Sequence, residues 1–537
     1  MLRPRTAAVA SLLLLPMVAG GFLLNTSPSK APVDLFKSVL QIVSQRYVDT
    51  LAQDAIFEKA AKGLIRELND PYSELLSPKL NEEFNRSVGG RYGGVGMLLE
   101  EQKANGLTRI VVQRVFHNSP AEANGVLEGD VITKVDTMSV TGDIKIDQVS
   151  NALRGPVGTT VNVQYARPTV TEPIKLSFTR AIIKVPAVPF SMIAADNIGY
   201  IPLQTFNENT SEEVTAAANE LLKQGAKGLV LDLRDNGGGI VEQSLEVSSL
   251  FLKDGQPIVN VRGRNTVDEI ARATSEHLAT QLPLVILTDG GTASASEIVA
   301  GSLQDHDRAL VLGTTSFGKG LVQSLFPLDG GYALKITTGK WYTPNGRSIH
   351  RERKLLADGR FVEVRPDSME TEAEKKAKPA YKSDAGRTVY GGGGITPDLI
   401  VPDDTLTTLE QEFYRVVVAP KAQAWFTTLN AYAFELKGAP KKFTVTPEWR
   451  AELRKRLTTA GVIIDPKFDA VSVKLLDNEL DKRVARLVLG DAGAKIRGLS
   501  EDHQLSRAIA LLSAARTQDA LLASATVASA AKPVVKK

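Results

Sequence analysis

Between about residues 183 and 345, short apolar runs alternate with helix-length amphipathic stretches, an order that few chain topologies satisfy. Ile198-Gly199-Tyr200-Ile201-Pro202-Leu203 precedes a helical span over Ser211–Lys223, and Gly228-Leu229-Val230-Leu231-Asp232-Leu233 precedes another from about Val241 to Leu252. The runs Leu284-Val285-Ile286-Leu287 and Ala309-Leu310-Val311-Leu312-Gly313 follow. Short branched runs bounded by glycine and polar residues read as buried strands, and strands joined through helices pair in parallel. The pattern therefore predicts an α/β core whose chemistry-bearing loops lie at the C-terminal ends of its strands.

Three motifs fall on that edge. Gly290-Gly291-Thr292-Ala293-Ser294-Ala295-Ser296-Glu297 ends the 284–287 run just before a helical span over Ser296–Gln304. Ser294 thus stands at a strand-to-helix turn, where unpaired N–H groups and the positive end of the helix dipole favour an oxyanion. A serine hydroxyl needs a base beside it. His306 lies about three turns further along the helix, roughly 15 Å away, too far to serve. Lys319, in Ser316-Phe317-Gly318-Lys319-Gly320, follows the 309–313 run and faces Ser294 if that strand is a parallel neighbour. A lysine acting as base must be neutral, which burial in a water-poor site promotes. The third motif, Arg234-Asp235-Asn236-Gly237-Gly238-Gly239, places Gly238 where its N–H, with that of Ala295, completes an oxyanion hole. On pattern alone the bland readings stay open: a helix cap, a solvated loop lysine and a bare glycine turn.

The stretches T-A-S-A-S-E-I-V-A-G-S-L-Q-D-H-D-R-A and S-F-G-K-G-L-V-Q closely resemble the carboxy-terminal processing, or tail-specific, proteases. The resemblance implies a crotonase/Clp-protease-like core and a serine–lysine dyad, with Ser294 as nucleophile, Lys319 as general base, Gln323 orienting the lysine and Asp305 supporting the site. It implies no cofactor. Members of the family usually carry proline where Gly237 stands here. L-N-D-P-Y-S near residue 70, the strand-like Tyr332–Thr337 and Trp341–Ile349 are similar to the family as well, so the likeness covers roughly 34–403 and not the C-terminal helices.

Residues 89–181 read as a compact β-rich module with two short helices, one opened by Ser119-Pro120-Ala121-Glu122-Ala123 and one over Asp147–Leu153. Its glycine-rich entry, Gly93-Gly94-Val95-Gly96-Met97, presents adjacent N–H groups to an anion, and a phosphate or a peptide carboxylate would both fit. S-P-A-E-A-N-G-V-L-E-G-D-V-I resembles the PDZ domains of bacterial proteases. That resemblance implies that Val95, Gly96 and Met97 hold a substrate's C-terminal carboxylate and that the peptide adds beside Met97-Leu98-Leu99. It implies further that Arg154 couples an occupied groove to the protease site.

A chain of 537 residues with 43% hydrophobic residues needs several cores. With 64 basic against 61 acidic residues and no sustained basic stripe, nucleic-acid binding is not indicated. The absence of cysteine excludes disulfides, thiolate catalysis and zinc–thiolate sites, and the five scattered histidines suggest no metal centre. Arg3 and Arg5 before an apolar stretch over 7–24 predict export, with the stretch cleaved (residues 1–30) or kept as a membrane anchor. The remaining expectations are a helical region over 33–85 that packs on a neighbour or second subunit, and a protease core over 183–403 carrying a mobile surface insertion at about 351–389. Gly391–Gly394 reads as a flexible connection, 404–525 as amphipathic helices serving packing, dimerisation or a substrate cage, and 526–537 as a disordered tail. Two competing functions remain, an inactive peptide-binding scaffold on the same fold and a hydratase-like acyl-CoA enzyme.

Overall fold

The computed structural model describes residues 32–104, 107–116, 118–141, 144–167, 172–264, 268–274, 278, 281–355, 361–363, 372–404 and 406–530. The apolar stretch 7–24 lies outside them, as do His117, His277 and the end of the tail, 531–537. The chain forms two compact units, one ending at Pro78 and including Gln323–Thr337, the other comprising Lys79–Val322 and Thr338–Lys537.

In the first unit, helices Pro32–Arg46 and Gln53–Arg66 precede the strand Glu74–Leu76, which pairs antiparallel with Ala333–Lys335. The second helix ends at Arg66, five residues before Pro71. Asn69 takes a left-handed φ of 54°, and the Asp70 carboxylate accepts from Tyr72 N at 3.0 Å and from the Ser73 hydroxyl.

In the second unit, the α/β core is a six-stranded sheet. Ile198–Pro202, Gly228–Asp232, Leu284–Thr288, Leu310–Gly313 and Leu399–Ile400 pair side by side in parallel, and Met192–Ile193 adds antiparallel at one edge. One face packs on the helices Thr210–Lys223, Val241–Ser249 and Ala295–Asp305 through Val214, Leu221, Val247, Ile298 and Val299. The opposite face is covered by the last two helices of the chain, His503–Ala514 and Gln518–Ala530, through Leu505, Ile509, Leu512 and Leu521. A parallel sheet must be covered on both sides, and the sequence supplies the second cover from some 200 residues beyond the central strands. The last helix also runs five residues into the stretch expected to be disordered.

The β-rich module is a separate sheet in which Met97–Ala104, Leu107–Val115, Val131–Val135, Thr160–Ala166 and Ile174–Thr179 pair in that order. Met97–Ala104 is therefore an edge strand. The helix Ile146–Leu153 packs beside it through Val149 and Leu153. Residues 408–494 build a helical core of their own around Phe413, Trp425, Leu429, Phe468 and Leu480. It meets the β-rich module where Arg114 pairs with Asp491 at 3.2 Å and Phe434 faces Gly129. Gly490, with φ 72° and ψ −179°, breaks the helical stretch Asp469–Arg497 into two helices that meet at a kink. Among the described residues no helix is long and apolar enough to cross a membrane.

Two sequence expectations are corrected. Gly391–Gly394 is not a loose connection: Gly392 N donates to Ser348 O at 2.8 Å and Gly394 N to Ile349 O at 2.7 Å, and a Cβ at residue 394 would stand 2.2 Å from Ser316 O. These glycines allow backbone to approach the 316–319 loop more closely than any side chain would permit. The described parts of the 351–389 insertion are likewise tied down. Arg387 pairs with Asp307 and Asp398, each at 2.5 Å, and the Arg353 guanidinium lies 3.8 Å over the Phe317 ring while donating to Phe317 O at 3.0 Å.

Candidate active site

Ser294 is half-buried at the turn between the strand Leu284–Thr288 and the helix Ala295–Asp305. Its φ of 57° and ψ of −115° lie outside the regions a side-chain-bearing residue normally adopts. Such strain persists only where surrounding bonds over-determine it, and it is common at functional sites. Here the bonds are visible: Ala293 N donates to Asn236 O at 2.9 Å, and Ser294 N to Glu297 Oε2 at 2.9 Å.

Lys319 arrives from the neighbouring strand, as the parallel pairing of Val285–Thr288 with Leu310–Gly313 requires. Beyond the strands the two loops continue side by side, with Thr314 N donating to Thr288 O and Phe317 N to Thr292 O, both at 2.9 Å. Glu297 then locks them together. The Oε2 atom that accepts from Ser294 N also accepts from Lys319 N at 2.9 Å, while Oε1 accepts from Gly318 N at 2.7 Å and from the Ser316 hydroxyl. One carboxylate oxygen thus holds the backbone nitrogens of both residues that the sequence proposed as a dyad. Glu297 is fully buried, and burial pushes its carboxyl up, against four hydrogen bonds that favour the anion. Lys319 itself is half-buried, its carbonyl accepts from Trp341 Nε1 at 3.0 Å, and Gly320 beside it leaves no room for a Cβ against His350.

The glycine turn closes the third side. A Cβ at Gly238 would stand 2.9 Å from both Ala295 N and Ser294 Cβ and 2.7 Å from Ala293 O, and its φ is +92°. The Gly238 N–H, expected to point at an oxyanion, donates instead to Asn236 Oδ1 at 2.9 Å. The Ala295 N–H, first of its helix, has no acceptor among the described residues. Asn236 is fully buried and joins three loops: its Nδ2 donates to Leu203 O at 2.7 Å, and its carbonyl accepts from Ala293 N and the Ser296 hydroxyl, both at 2.9 Å.

The other sequence candidates stand elsewhere. Asp305 occupies the far end of the helix that Ser294 begins, fully buried, paired with Arg347 at 2.5 Å and accepting from Asn345 N at 3.0 Å. Gln323 belongs to the first unit, on the strand Leu321–Pro327, and donates to Thr337 Oγ1 at 3.4 Å. In the β-rich module, Val95, Gly96, Met97 and Arg154 line a small cleft with Leu153 and Ser150, and Leu98 is exposed. The Arg154 guanidinium lies 5.2 Å over the Tyr92 ring. Glu297, Ser316 and Asn236 were missed. The Ser294-to-Glu297 spacing of a capping box was the one available signal for the first of them.

Residues 197–367 match the model of peptidase family S41, and residues 93–177 match a PDZ domain. The carboxy-terminal processing protease CtpA of Bacillus subtilis is 34% identical over 65% of this chain and 73% of its own length. A carboxy-terminal-processing protease of Bartonella bacilliformis is 37% identical over 58% of this chain and 71% of its own. A solved photosystem II D1 C-terminal processing protease is 31% identical, covering 59% of this chain and 83% of that one, with a TM-score of 0.35. With the S41 match lying on the Ser294 and Lys319 loops and the PDZ match on the β-rich module, the chain belongs to the carboxy-terminal processing proteases of peptidase family S41, serine-type peptidases that carry a PDZ domain.

Proposed function

We propose that this protease works through a Ser294–Lys319 dyad and that its PDZ domain captures the C-terminal tails of protein substrates. The observation that carries the reading is the single Glu297 oxygen bound to the N–H groups of both Ser294 and Lys319. Neutral Lys319 takes the hydroxyl proton as Ser294 attacks the peptide carbonyl, and the protonated amine returns it to the leaving amine. The oxyanion forms beside Ala295 N–H, in the space that glycine at residue 238 keeps open. Water then hydrolyses the acyl-enzyme. Substrate tails add to the free edge of Met97–Ala104, their carboxylates on Val95 and Gly96, whose N–H groups have no acceptor among the described residues.

The test is cleavage of a reporter peptide with an apolar C-terminal tail, run beside fluorophosphonate labelling. Wild type is expected to cleave and label, Ser294→Ala to do neither, and Lys319→Ala to lose at least about a hundredfold in kcat. Cleavage that survives Lys319→Ala would remove the dyad, and tail binding without labelling or cleavage would make the protein a scaffold. The same reading places the activity outside the cytoplasm, supported by Arg3, Arg5 and the apolar run 7–24. Fractionation of cells expressing the full chain tests this, and recovery in the cytosol would refute it.

A further inference from the structure

The arginine that opens the glycine turn is held by the end of the chain. Arg234 is gripped by two carboxylates: its Nε and one terminal nitrogen donate to Asp232 Oδ1 and Oδ2 at 2.9 and 2.6 Å, and its two terminal nitrogens donate to Asp502 Oδ1 and Oδ2 at 3.0 and 2.9 Å. Gln504 Oε1 accepts a further bond at 3.1 Å, while its Nε2 donates to Val401 O at 2.9 Å. Asp502 is in turn the N-cap of the helix His503–Ala514, accepting from Leu505 N at 2.9 Å, and it receives Lys495 Nζ at 2.8 Å. Burial alone would raise its pKa, but Arg234 and Lys495 outweigh that and hold it well below the ordinary aspartate range.

The middle of the turn after Arg234 is held by buried Asn236 and its end by Phe206, whose N–H donates to Gly238 O at 3.0 Å, while its start is tied only by the Asp235 N–H on the Asp289 carboxylate at 3.0 Å and by Arg234 itself. Asp235 has a left-handed φ of 57°, and Gly237 meets nothing where its Cβ would be. Yet the turn must hold Gly238 against Ser294 and Ala295 to within a few tenths of an ångström for the oxyanion to have its place. We propose that Asp502 is a positioning residue for catalysis: by fixing the Arg234 fork it sets the 235–239 turn against Ser294, so that the C-terminal helix which covers the sheet also aligns the active site. A bidentate guanidinium–carboxylate pair fixes direction as well as distance, which a single charge contact would not.

The inference rests on the Ser294 reading, and the experiment separates the two. Asparagine caps helices as well as aspartate does, so Asp502→Asn keeps the bond to Leu505 N and removes the charged pairs with Arg234 and Lys495. Steady-state kinetics on the reporter peptide are expected to show kcat about tenfold lower with KM within about twofold of wild type. Arg234→Lys, which keeps the charge and loses the fork, should show a similar loss. The double variant should be no worse than Arg234→Lys alone, because that change already removes the contact with Asp502 together with those to Asp232 and Gln504. Wild-type kcat in folded Asp502→Asn, losses that multiply in the double variant, or an activity loss that only follows the folded fraction measured by circular dichroism would each overturn the proposal. If Asp502→Asn does not fold, Lys495→Gln with Arg234→Lys supplies the same cycle, Lys495 acting on Arg234 through Asp502. Cleavage that persists in Ser294→Ala would instead refute the underlying reading.

Discussion

Gly238 carries a constraint that no other residue of the site does. Its φ of +92° disfavours any side chain, and the place a methyl would take is also where the Ala295 N–H and Ser294 Cβ converge. Gly238→Ala is therefore expected to lower kcat by about a hundredfold, the scale of losing an oxyanion donor, while backbone strain removes about 1–3 kcal/mol of stability. Steady-state kinetics beside urea denaturation check both, and unchanged kcat in a folded variant would show that the oxyanion lies elsewhere. That the loops of Ser294, Lys319 and this glycine meet at one edge of the sheet was legible in the sequence, because a strand-to-helix turn and parallel neighbours dictate where they end. Glu297 was not. In the sequence it is one acid in the first turn of a helix, and its role comes from Ser316, Gly318 and Lys319, about 20 residues away, which turn back onto it and bury it completely.

Among the elements, the helix Ala295–Asp305 is fixed at both ends by buried carboxylates, Glu297 on the Lys319 loop and Asp305 on Arg347. The helix His503–Ala514 is fixed at its start by Asp502. Because Asp502 has a folded pKa below its ordinary value, the folded state gives up this proton more readily than the unfolded chain does. Its contribution is then complete above about pH 4 and disappears as the pH falls towards the folded value. Urea midpoints at about pH 7 and about pH 3 should differ more for wild type than for Asp502→Asn, and equal differences would mean that the pair with Arg234 contributes nothing to stability. The sequence made these helices readable through their apolar spacing, and Thr446 caps the helix Pro447–Thr459 by accepting from Trp449 N at 3.3 Å. At the later helix the capping residue is Asp502, which apolar spacing does not single out because it places a helix start only to within a few residues. Gly391–Gly394 was misread because a glycine run has the same composition whether it is a loose tether or a close backbone contact.

Taken across the second unit, the parallel sheet is complete only when chain from beyond residue 500 reaches its bare face. Local periodicity announced amphipathic helices there but not which surface they cover, because that information lies in the apolar residues of strands some 200 positions earlier. The size of the contact decides its importance. Leu505, Ile509, Leu511, Leu512, Leu521 and Leu522 are all buried in the cluster with Val230, Val285 and Leu310. At about 1.5–3 kcal/mol for each large side chain, their burial is on the order of 10 kcal/mol, as large as the roughly 5–15 kcal/mol that stabilises a whole domain. A chain ending after Arg497 is therefore expected to lose the folded core altogether, with insoluble expression, no cooperative melting transition and strong binding of a hydrophobic dye. Leu512→Ala, which empties one position where Leu512 lies against Gly228, should cost about 2–5 kcal/mol and still fold. A truncated chain that melted cooperatively near the wild-type temperature would mean that the sheet's second face is covered by something other than these two helices.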